Sequence, residues 1–474
     1  MQAASARGLF FDCSEEESRL NQTERMGSER IGKLIFSMAL PAMISMLINA
    51  LYNIVDSIFV GRYSTDAFTA VSLVFPLQQL VIAVGVGTAV GVNSLIARRL
   101  GARMREEAED AARHGMVLAV LSGLAFCVIG FGLSRAFLSA FTANPAVLEQ
   151  AVSYSHIAVG LSIFVMISIM CEKVQQATGN MIIPMIQGLA GAITNIILDP
   201  IMIFGYFGCP SLGVRGAAIA TVIGQIVGML IGLWAVFRHQ KVLDVRMRGM
   251  KIHGRTILEI YRVGLPGIVM QSVVSVMTSG MNLILISFSE VAVSVLGLYF
   301  KLQTFVFMPV FGLNQGALPV MGYNYGAGDR KRLMGAYKVT ISAAFCIMLI
   351  GFVLFQLIPE PMIRLFNSDP EMIGVGVPAL KTISLSFLGA AFGIINSTMF
   401  QAIGRGMASL IVSVCRQLCI ILPAAWVLAR VAGLHAVWYS FPIAEIGSFV
   451  ISYALLLRIY RTELRYLKPR DREE

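Results

Sequence analysis

Residues 35–60 read IFSMALPAMISMLINALYNIVDSIFV, an apolar run long enough to cross a bilayer, with Leu40-Pro41 near its start and Asp56 near its end. Shifted by 225 residues, Leu40-Pro41 returns as Leu265-Pro266. The same shift carries Gly87/Gly91 onto Gly312/Gly316 and Gly101-Ala102 onto Gly326-Ala327. It also carries Phe141, Asn144 and Pro145 onto Phe366, Asp369 and Pro370, and Gln176-Ala177-x-Gly179 onto Gln401-Ala402-x-Gly404. One offset held through five motifs marks a duplicated domain, with a site expected where the copies meet.

Hydrophobic residues make up 57% of the 474, charged residues only 14%, and the mean hydropathy is +0.75, which excludes a soluble globular protein of this size. Apolar stretches of spanning length fall at 35–60, 67–97, 114–137, 149–172, 182–207 and 213–237 in the first half. The second half supplies 256–288, 292–322, 335–358, 372–398, 407–430 and 435–458. The fold class is therefore all-α: twelve membrane helices as two pseudo-symmetric six-helix bundles. Six spans per half make both halves start on the same side, so the repeat is parallel.

Most of the 37 Lys and Arg lie in segments that are cytoplasmic if the N-terminus is inside, including Arg98/Arg99/Arg103/Arg105/Arg113 and Arg330-Lys331-Arg332. A multi-pass membrane protein with both termini on the cytoplasmic side is expected. The net charge of +10 then reflects topology and not nucleic-acid binding. The expected parts are a cytoplasmic lead-in (1–33) without fixed structure, an N-lobe (34–237), a basic linker (238–255), a C-lobe (256–460) and a cytoplasmic tail (461–474). The lead-in carries Asp12, Glu15, Glu16 and Glu17 and no apolar core, unlike a cleaved signal.

Several chemistries fail on inspection. Gly27-x-x-x-x-Gly32-Lys33 nearly spells a phosphate loop, but Leu34 stands where Ser or Thr must meet magnesium, and a membrane helix follows. Without a nucleotide-binding domain, transport powered by this chain draws on an ion gradient. His114, His156, His239, His253 and His435 show no ligand or dyad spacing, and the seven cysteines no metal-site or disulfide pattern. No enzyme and no cofactor are expected.

A carboxylate at the centre of a membrane helix costs roughly 2.5 to 3.5 kcal/mol on insertion scales, so each needs a reason. Asp56 ends a one-face stripe of Ser45, Asn49, Tyr52 and Asn53. In the fifth span Gln187, Thr194, Asn195 and Asp199 form a second stripe, and the sixth adds Thr221 and Gln225. Two carboxylates facing one cavity cannot both ionise freely, so a proton or cation is readily held between them. The competing reading puts Asp56 in water near the outer interface and Asp199 at a helix end, since Pro200 follows it.

The offset places Met281 opposite Asp56 and Ala424 opposite Asp199, so cation chemistry belongs to the first lobe. The second lobe offers Gln271, Ser275, Thr278/Ser279 and Asn282, with Lys301, Lys381, Arg416 and Glu445 as its own charges. A later offset of 220 sets Glu445 opposite Gln225. Asn49, Tyr52, Asn53, Gln187, Thr221, Gln225, Asn282, Gln303 and Arg416 are the candidate cavity-lining or substrate residues. For Lys301 with Gln303 and for Arg416 with Gln417, an ion-pairing structural role competes with substrate contact. Glu290 is read as solvated in an outer turn, and the 26 Met and 28 Phe either as packing or as an adaptable wall for apolar cations.

The phrases Ile31-Gly32-Lys33, Ala39-Leu40-Pro41, Val55-Asp56, Gln176-Ala177-x-Gly179-Asn180 and Asn195-x-x-Leu198-Asp199-Pro200 together resemble the multidrug and toxic compound extrusion family. So do Gly216-Ala217-Ala218-Ile219-Ala220-Thr221, Phe300-Lys301-Leu302-Gln303 and Pro309-x-Phe311-Gly312-Leu313-Asn314. The likeness covers about residues 27 to 460 and is strongest to the MepA-like group of the bacterial DinF-type branch. It implies a V-shaped pair of bundles exporting organic cations in exchange for H⁺ or Na⁺, with the coupling ion at Asp56, Asn195 and Asp199. It also implies that Pro41 is the proline about which the first span bends. Ala217 stands where some relatives have threonine near the ion site, leaving Thr221 as the substitute.

Small-molecule drugs or toxic organic cations are thus the expected partners of a monomer in the lipid bilayer. A flippase for a lipid-linked saccharide is the alternative, disfavoured by twelve spans and by the lack of an arginine cluster in the cavity-lining helices.

Overall fold

The computed structural model describes residues 23–239, 242–247, 250–366 and 368–468, with Asn53 and His239 placed by backbone alone. Fourteen helices account for the spans: α1 (Ile31–Tyr63), α2 (Thr65–Gly101), α3 (Arg105–Ser139), α4 (Pro145–Ala158), α5 (Ile163–Ala177), α6 (Ile182–Phe204) and α7 (Val214–Arg238). The second half repeats the order with α8 (Gly254–Ile286), α9 (Glu290–Gly326), α10 (Arg330–Leu357), α11 (Pro370–Ser384), α12 (Ser386–Ala402), α13 (Gly406–Ala432) and α14 (Leu434–Tyr466). Ten are long and apolar enough to cross a membrane, and the pairs α4/α5 and α11/α12, bent by 43° and 46°, complete the twelve spans. Val128, Leu283, Leu357 and Ile446 are each more than half exposed, a surface that lipid covers at no cost and water does not.

The duplication reappears in the backbone. Ser64 caps α2 by accepting from Ala67 N at 3.0 Å, and Ser289, 225 residues on, caps α9 by accepting from Ala292 N at 3.1 Å. Asn144 and Asp369 cap α4 and α11 in the same way, each with proline as the first helical residue. Gly179 and Gly404 both turn with left-handed φ, of 89° and 82°. Arg103, with φ 59°, occupies the position that Gly328 fills at φ 74°. Arginine pays for that conformation with steric strain; glycine does not.

The fourth and tenth spans, expected as single helices, break at matched positions, around Gly160 and at Leu385. In the first half a Cβ at Gly160 would lie 2.2 Å from His156 O, so only glycine permits the turn. In the second, Gln356 Nε2 donates to Lys381 O at 2.8 Å and so takes up a carbonyl beside the break.

The chain divides into two compact units, and these are not the two sequence halves. One unit contains Ile48–Gly264; the other joins Ile31–Leu47 to the chain from Leu265 onward. The boundaries at 34–237 and 256–460 therefore miss an exchange of helix starts. Glycines make it possible. A Cβ on Gly91 of α2 would come within 2.3 Å of Ile260 O at the start of α8, and one on Gly312 of α9 within 2.4 Å of Met43 Cα in α1. Each start is gripped by a small-residue groove on the long helix beside it, at the same register in both copies.

One expectation about the ends needs correction. The segment before α1 is not free of structure throughout: residues 23–28 are helical, Met26 is fully buried, and Thr23 Oγ1 donates to Thr178 O at 3.2 Å. At the other end, helix continues through Thr462 and Tyr466, Leu464 is buried, and Glu463 pairs with Arg405, so the tail from 461 starts as packed structure. Residues 1–22 and 469–474 lie outside the described residues.

Candidate functional site

Within the unit containing Ile48–Gly264, α6 presents Asn195 and Asp199 one turn apart on its buried face, exposed by 2% and 0%. Asp199 is not a helix-end residue: Pro200 lies inside α6, which runs on to Phe204. Its carboxyl group faces that of Asp56, a half-buried residue of α1, within hydrogen-bonding reach. Two carboxyl groups approach this closely only with a proton or a cation between them. Asp56 Oδ1 is buried without a hydrogen-bond partner among the described residues.

The Asn195 amide fits in two orientations. With Nδ2 toward Thr221 it donates to Oγ1 at 3.2 Å and leaves its oxygen among acceptors. Turned over, Nδ2 donates to Asp199 Oδ2 at 2.7 Å, while the oxygen accepts from Thr221 N at 3.0 Å and Thr221 Oγ1 at 3.2 Å. The second arrangement pairs both ends of the amide and is the one the hydrogen bonds favour. Thr221 also hydrogen-bonds the Tyr52 hydroxyl, joining α1, α6 and α7 in one network. Ala217, one turn before Thr221, is fully buried and carries no polar atom to the site.

Sequence reasoning missed Tyr154 and Gln78. Tyr154 is 3% exposed in α4, accepts from Gln78 Nε2 at 3.3 Å, and sits in the electrostatic field of Asp56, Tyr52 and Asp199. A buried tyrosine hydroxyl needs a partner, but neither residue shares a helical stripe that would have drawn attention to it.

The remaining candidates disperse. Gln187 is buried and donates to Ser168 O and Oγ, both at 2.8 Å, which binds α6 to α5 and not to the carboxyl pair. Gln225 is half-buried beside Thr221 on α7, and Asn49 is exposed on α1. The Asn53 side chain lies outside the described residues. Pro41 sits in the unbroken interior of α1.

In the other unit Met281, opposite Asp56 in the repeat, is fully buried. Asn282 and Gln303 are half-buried, Lys301 and Lys381 exposed, and Glu290 is an exposed first residue of α9. Arg416 Nη1 donates to Glu445 Oε1 at 2.5 Å, so this arginine is ion-paired.

Two of the five histidines meet, although nothing in their sequence spacing pairs them. His114 of α3 and His253, just before α8, meet at Asp110. His253 Nδ1 lies 3.2 Å from Asp110 Oδ1, Thr256 Oγ1 donates to Asp110 Oδ2 at 2.7 Å, and the His253 amide donates to His114 Nε2 at 2.9 Å. His114 Nδ1 bonds the Asp110 carbonyl at 2.8 Å, so both its ring nitrogens are committed and neither offers a lone pair to a metal. With Arg99 Nη2 to Glu259 Oε2 at 2.8 Å, the cluster pins the start of α8 to α2 and α3.

Twelve membrane spans in two repeated halves, with two facing carboxyl groups buried inside one unit, define a membrane transporter scaffold. The MatE family profile matches residues 41–201 and again 266–427, two copies that begin 225 residues apart, and the chain belongs to that family. It is similar to the multidrug export protein MepA of Staphylococcus haemolyticus, 28% identical over 88% of this chain and 91% of that one. Among solved structures it resembles an outward-facing multidrug resistance MATE family transporter of the MOP superfamily, with a TM-score of 0.88, 26% identity, and 93% and 98% of the two chains covered. It also resembles a MOP superfamily transporter from Pyrococcus furiosus, described as having a binding pocket of reverse polarity, with a TM-score of 0.86, 27% identity, and 93% and 98% covered.

Proposed function

We propose that the protein is a multidrug efflux antiporter that exports organic, mostly cationic compounds by alternating access, driven by inward flow of H⁺ or Na⁺ across a bacterial cytoplasmic membrane. The observation that carries the reading is the facing pair of Asp56 and Asp199, whose carboxyl groups need a proton or cation between them. Their oxygens are hard donors suited to either ion. The export role is supported by the relatives named as multidrug export proteins.

The coupling ion neutralises the pair when the site is open outward; the neutralised pair draws the Asp56 turn of α1 toward α6, where two ionised carboxylates would repel, and packing around Pro41 shifts. Substrate is released outward, the ion leaves inward, and fresh substrate enters from the cytoplasm or inner leaflet. Each ligand drives the cycle only through its preference for one conformation. Asn195, Tyr52 and Thr221 orient the carboxyl groups through the bonds above. Efflux of ethidium from membrane vesicles tests the reading: Asp56→Asn protein is expected in the membrane at normal level and inactive. Undiminished efflux by that variant overturns it.

A further inference from the structure

At one end of the unit containing Ile48–Gly264, where α1 and α6 finish and α4 and α7 begin, a pocket of about 210 Å³ lies between Tyr63, Glu149, Gln150, Ser153 and the turn 212–215. Leu212 N and Gly213 N donate to Met202 O at 3.0 Å and Ile203 O at 3.2 Å, which folds this turn back on the end of α6. Gly213 has φ 55°, and a Cβ there would lie 2.7 Å from the Tyr63 ring, so glycine is what lets Tyr63 close over the turn.

Part of the pocket wall donates hydrogen bonds and part accepts them. Arg215 donates through Nη2 to Ser153 Oγ at 3.1 Å and has no carboxylate partner among the described residues; the hydroxyls of Ser153 and Tyr63 are further donors. Gln150 Oε1, in the first turns of α4, is buried without a hydrogen-bond partner among the described residues. Glu149 takes Arg135 Nη2 on Oε1 at 2.7 Å, and a carboxylate has lone pairs for a second donor. Such a wall fits a ligand that joins an anionic oxygen group to an ammonium. An aromatic cluster adjoins it: the Phe204 ring centroid lies 6.3 Å from that of Tyr63 and 5.8 Å from that of Tyr206. The next residue, Phe207, is 92% exposed with φ 57°. A bare phenyl ring on a strained turn is unfavourable in water and suited to the headgroup level of a bilayer, the depth at which spans end.

We propose that this pocket holds the headgroup of a phospholipid that carries a primary amine beside its phosphate. Arg215 and the two hydroxyls take phosphate oxygens, while Glu149 and Gln150 take the ammonium, whose N–H donors a trimethylated headgroup lacks. The bound headgroup ties together the ends of α1, α4 and α7, the helices that carry Tyr52, Tyr154 and Thr221 around the carboxyl pair. The inference goes beyond the efflux reading and does not depend on it, since neither Asp56 nor Asp199 lines the pocket.

The test is native mass spectrometry of the full-length, delipidated protein titrated with phosphatidylethanolamine or with phosphatidylcholine of the same acyl chains. The natural protein is expected to bind the first about tenfold more tightly, the worth of one charge-assisted hydrogen bond. Glu149→Gln is expected to bring the two lipids within about twofold of each other, and Arg215→Gln to weaken both about tenfold. Glu149 and Arg215 are exposed, so neither change should shift the thermal midpoint by more than about a few degrees. Arg215→Lys keeps the charge and should retain most of the binding. Glycerophosphoethanolamine, the same headgroup without chains, separates a lipid site from a site for soluble phosphate esters and is expected not to displace the lipid at equal concentration. The proposal is overturned if the natural protein binds the two lipids alike, if Arg215→Gln binds phosphatidylethanolamine unchanged, or if the chain-free headgroup binds as tightly as the lipid. Each of these results leaves the efflux reading intact.

Discussion

Asn195 and Asp199, one turn apart on α6, share a 2.7 Å hydrogen bond from amide nitrogen to Oδ2, and the other end of the same amide is held by Thr221 N and Oγ1. The amide is thus a rigid spacer between the carboxyl pair and α7. Its removal strands a buried carboxyl oxygen, while the Thr221 N–H, in the interior of α7, keeps its helical carbonyl. Asn195→Ala is expected to lower stability by about 1–3 kcal/mol, the cost of one unsatisfied buried group. Thermal unfolding of the purified protein measures it, and an unchanged midpoint would show that the amide bears no such load.

Thr221 carries the hydroxyl that meets both Asn195 and Tyr52. Thr221→Val keeps the shape and removes those bonds. The half-saturating concentration of the coupling ion should rise about fivefold, the equivalent of one ordinary hydrogen bond of about 1 kcal/mol, while Thr221→Ser stays near the natural value. Titration of ion-dependent efflux in vesicles distinguishes the two.

The gripped helix starts make a symmetric prediction. Gly91→Ala drives a methyl into Ile260 O and Gly312→Ala drives one into Met43 Cα, both backbone contacts that cannot swing aside. Each should destabilise by about 1–3 kcal/mol, the usual cost of overpacking, and each should reduce efflux. Gly297→Ala, with nothing within 4 Å of the new carbon, should leave both unchanged.

At the Asp110 cluster, His114 Nε2 accepts the His253 amide and Asp110 accepts the Thr256 hydroxyl. His114→Leu removes the first of these and leaves the amide unpaired. Limited trypsin digestion should then cut faster at Arg246 or Lys251, between α7 and α8, than in the natural protein. Equal cleavage rates would show that the cluster does not hold the start of α8.

Much of the fold was legible because a bilayer imposes length and polarity on every span, and a duplication writes each landmark twice. The stripe through Tyr52 and Asp56, and the one through Asn195 and Asp199, were legible for the same reason: a polar residue in hydrocarbon needs a partner, and helical spacing says which face it is on. Other features depend on information that periodicity lacks. The breaks at Gly160 and Leu385 interrupt sequences as apolar as any unbroken span. The exchange of helix starts depends on how closely Gly91 and Gly312 let a neighbour approach. His114 and His253 are far apart in sequence, and only the return of the chain to α3 unites them. Tyr154 is a single hydroxyl among apolar neighbours, so no stripe announced it.

The central claim is that the Asp56–Asp199 pair is where an ion gradient enters the transport cycle. Purified protein in proteoliposomes, loaded with ethidium and given either a pH gradient or a sodium gradient alone, tests it most directly. One of the two gradients should drive dye transport by the natural protein, and Asp199→Asn should lose that response while keeping its thermal midpoint within a few degrees. Gradient-driven transport at the natural rate by a folded Asp199→Asn protein would contradict the account.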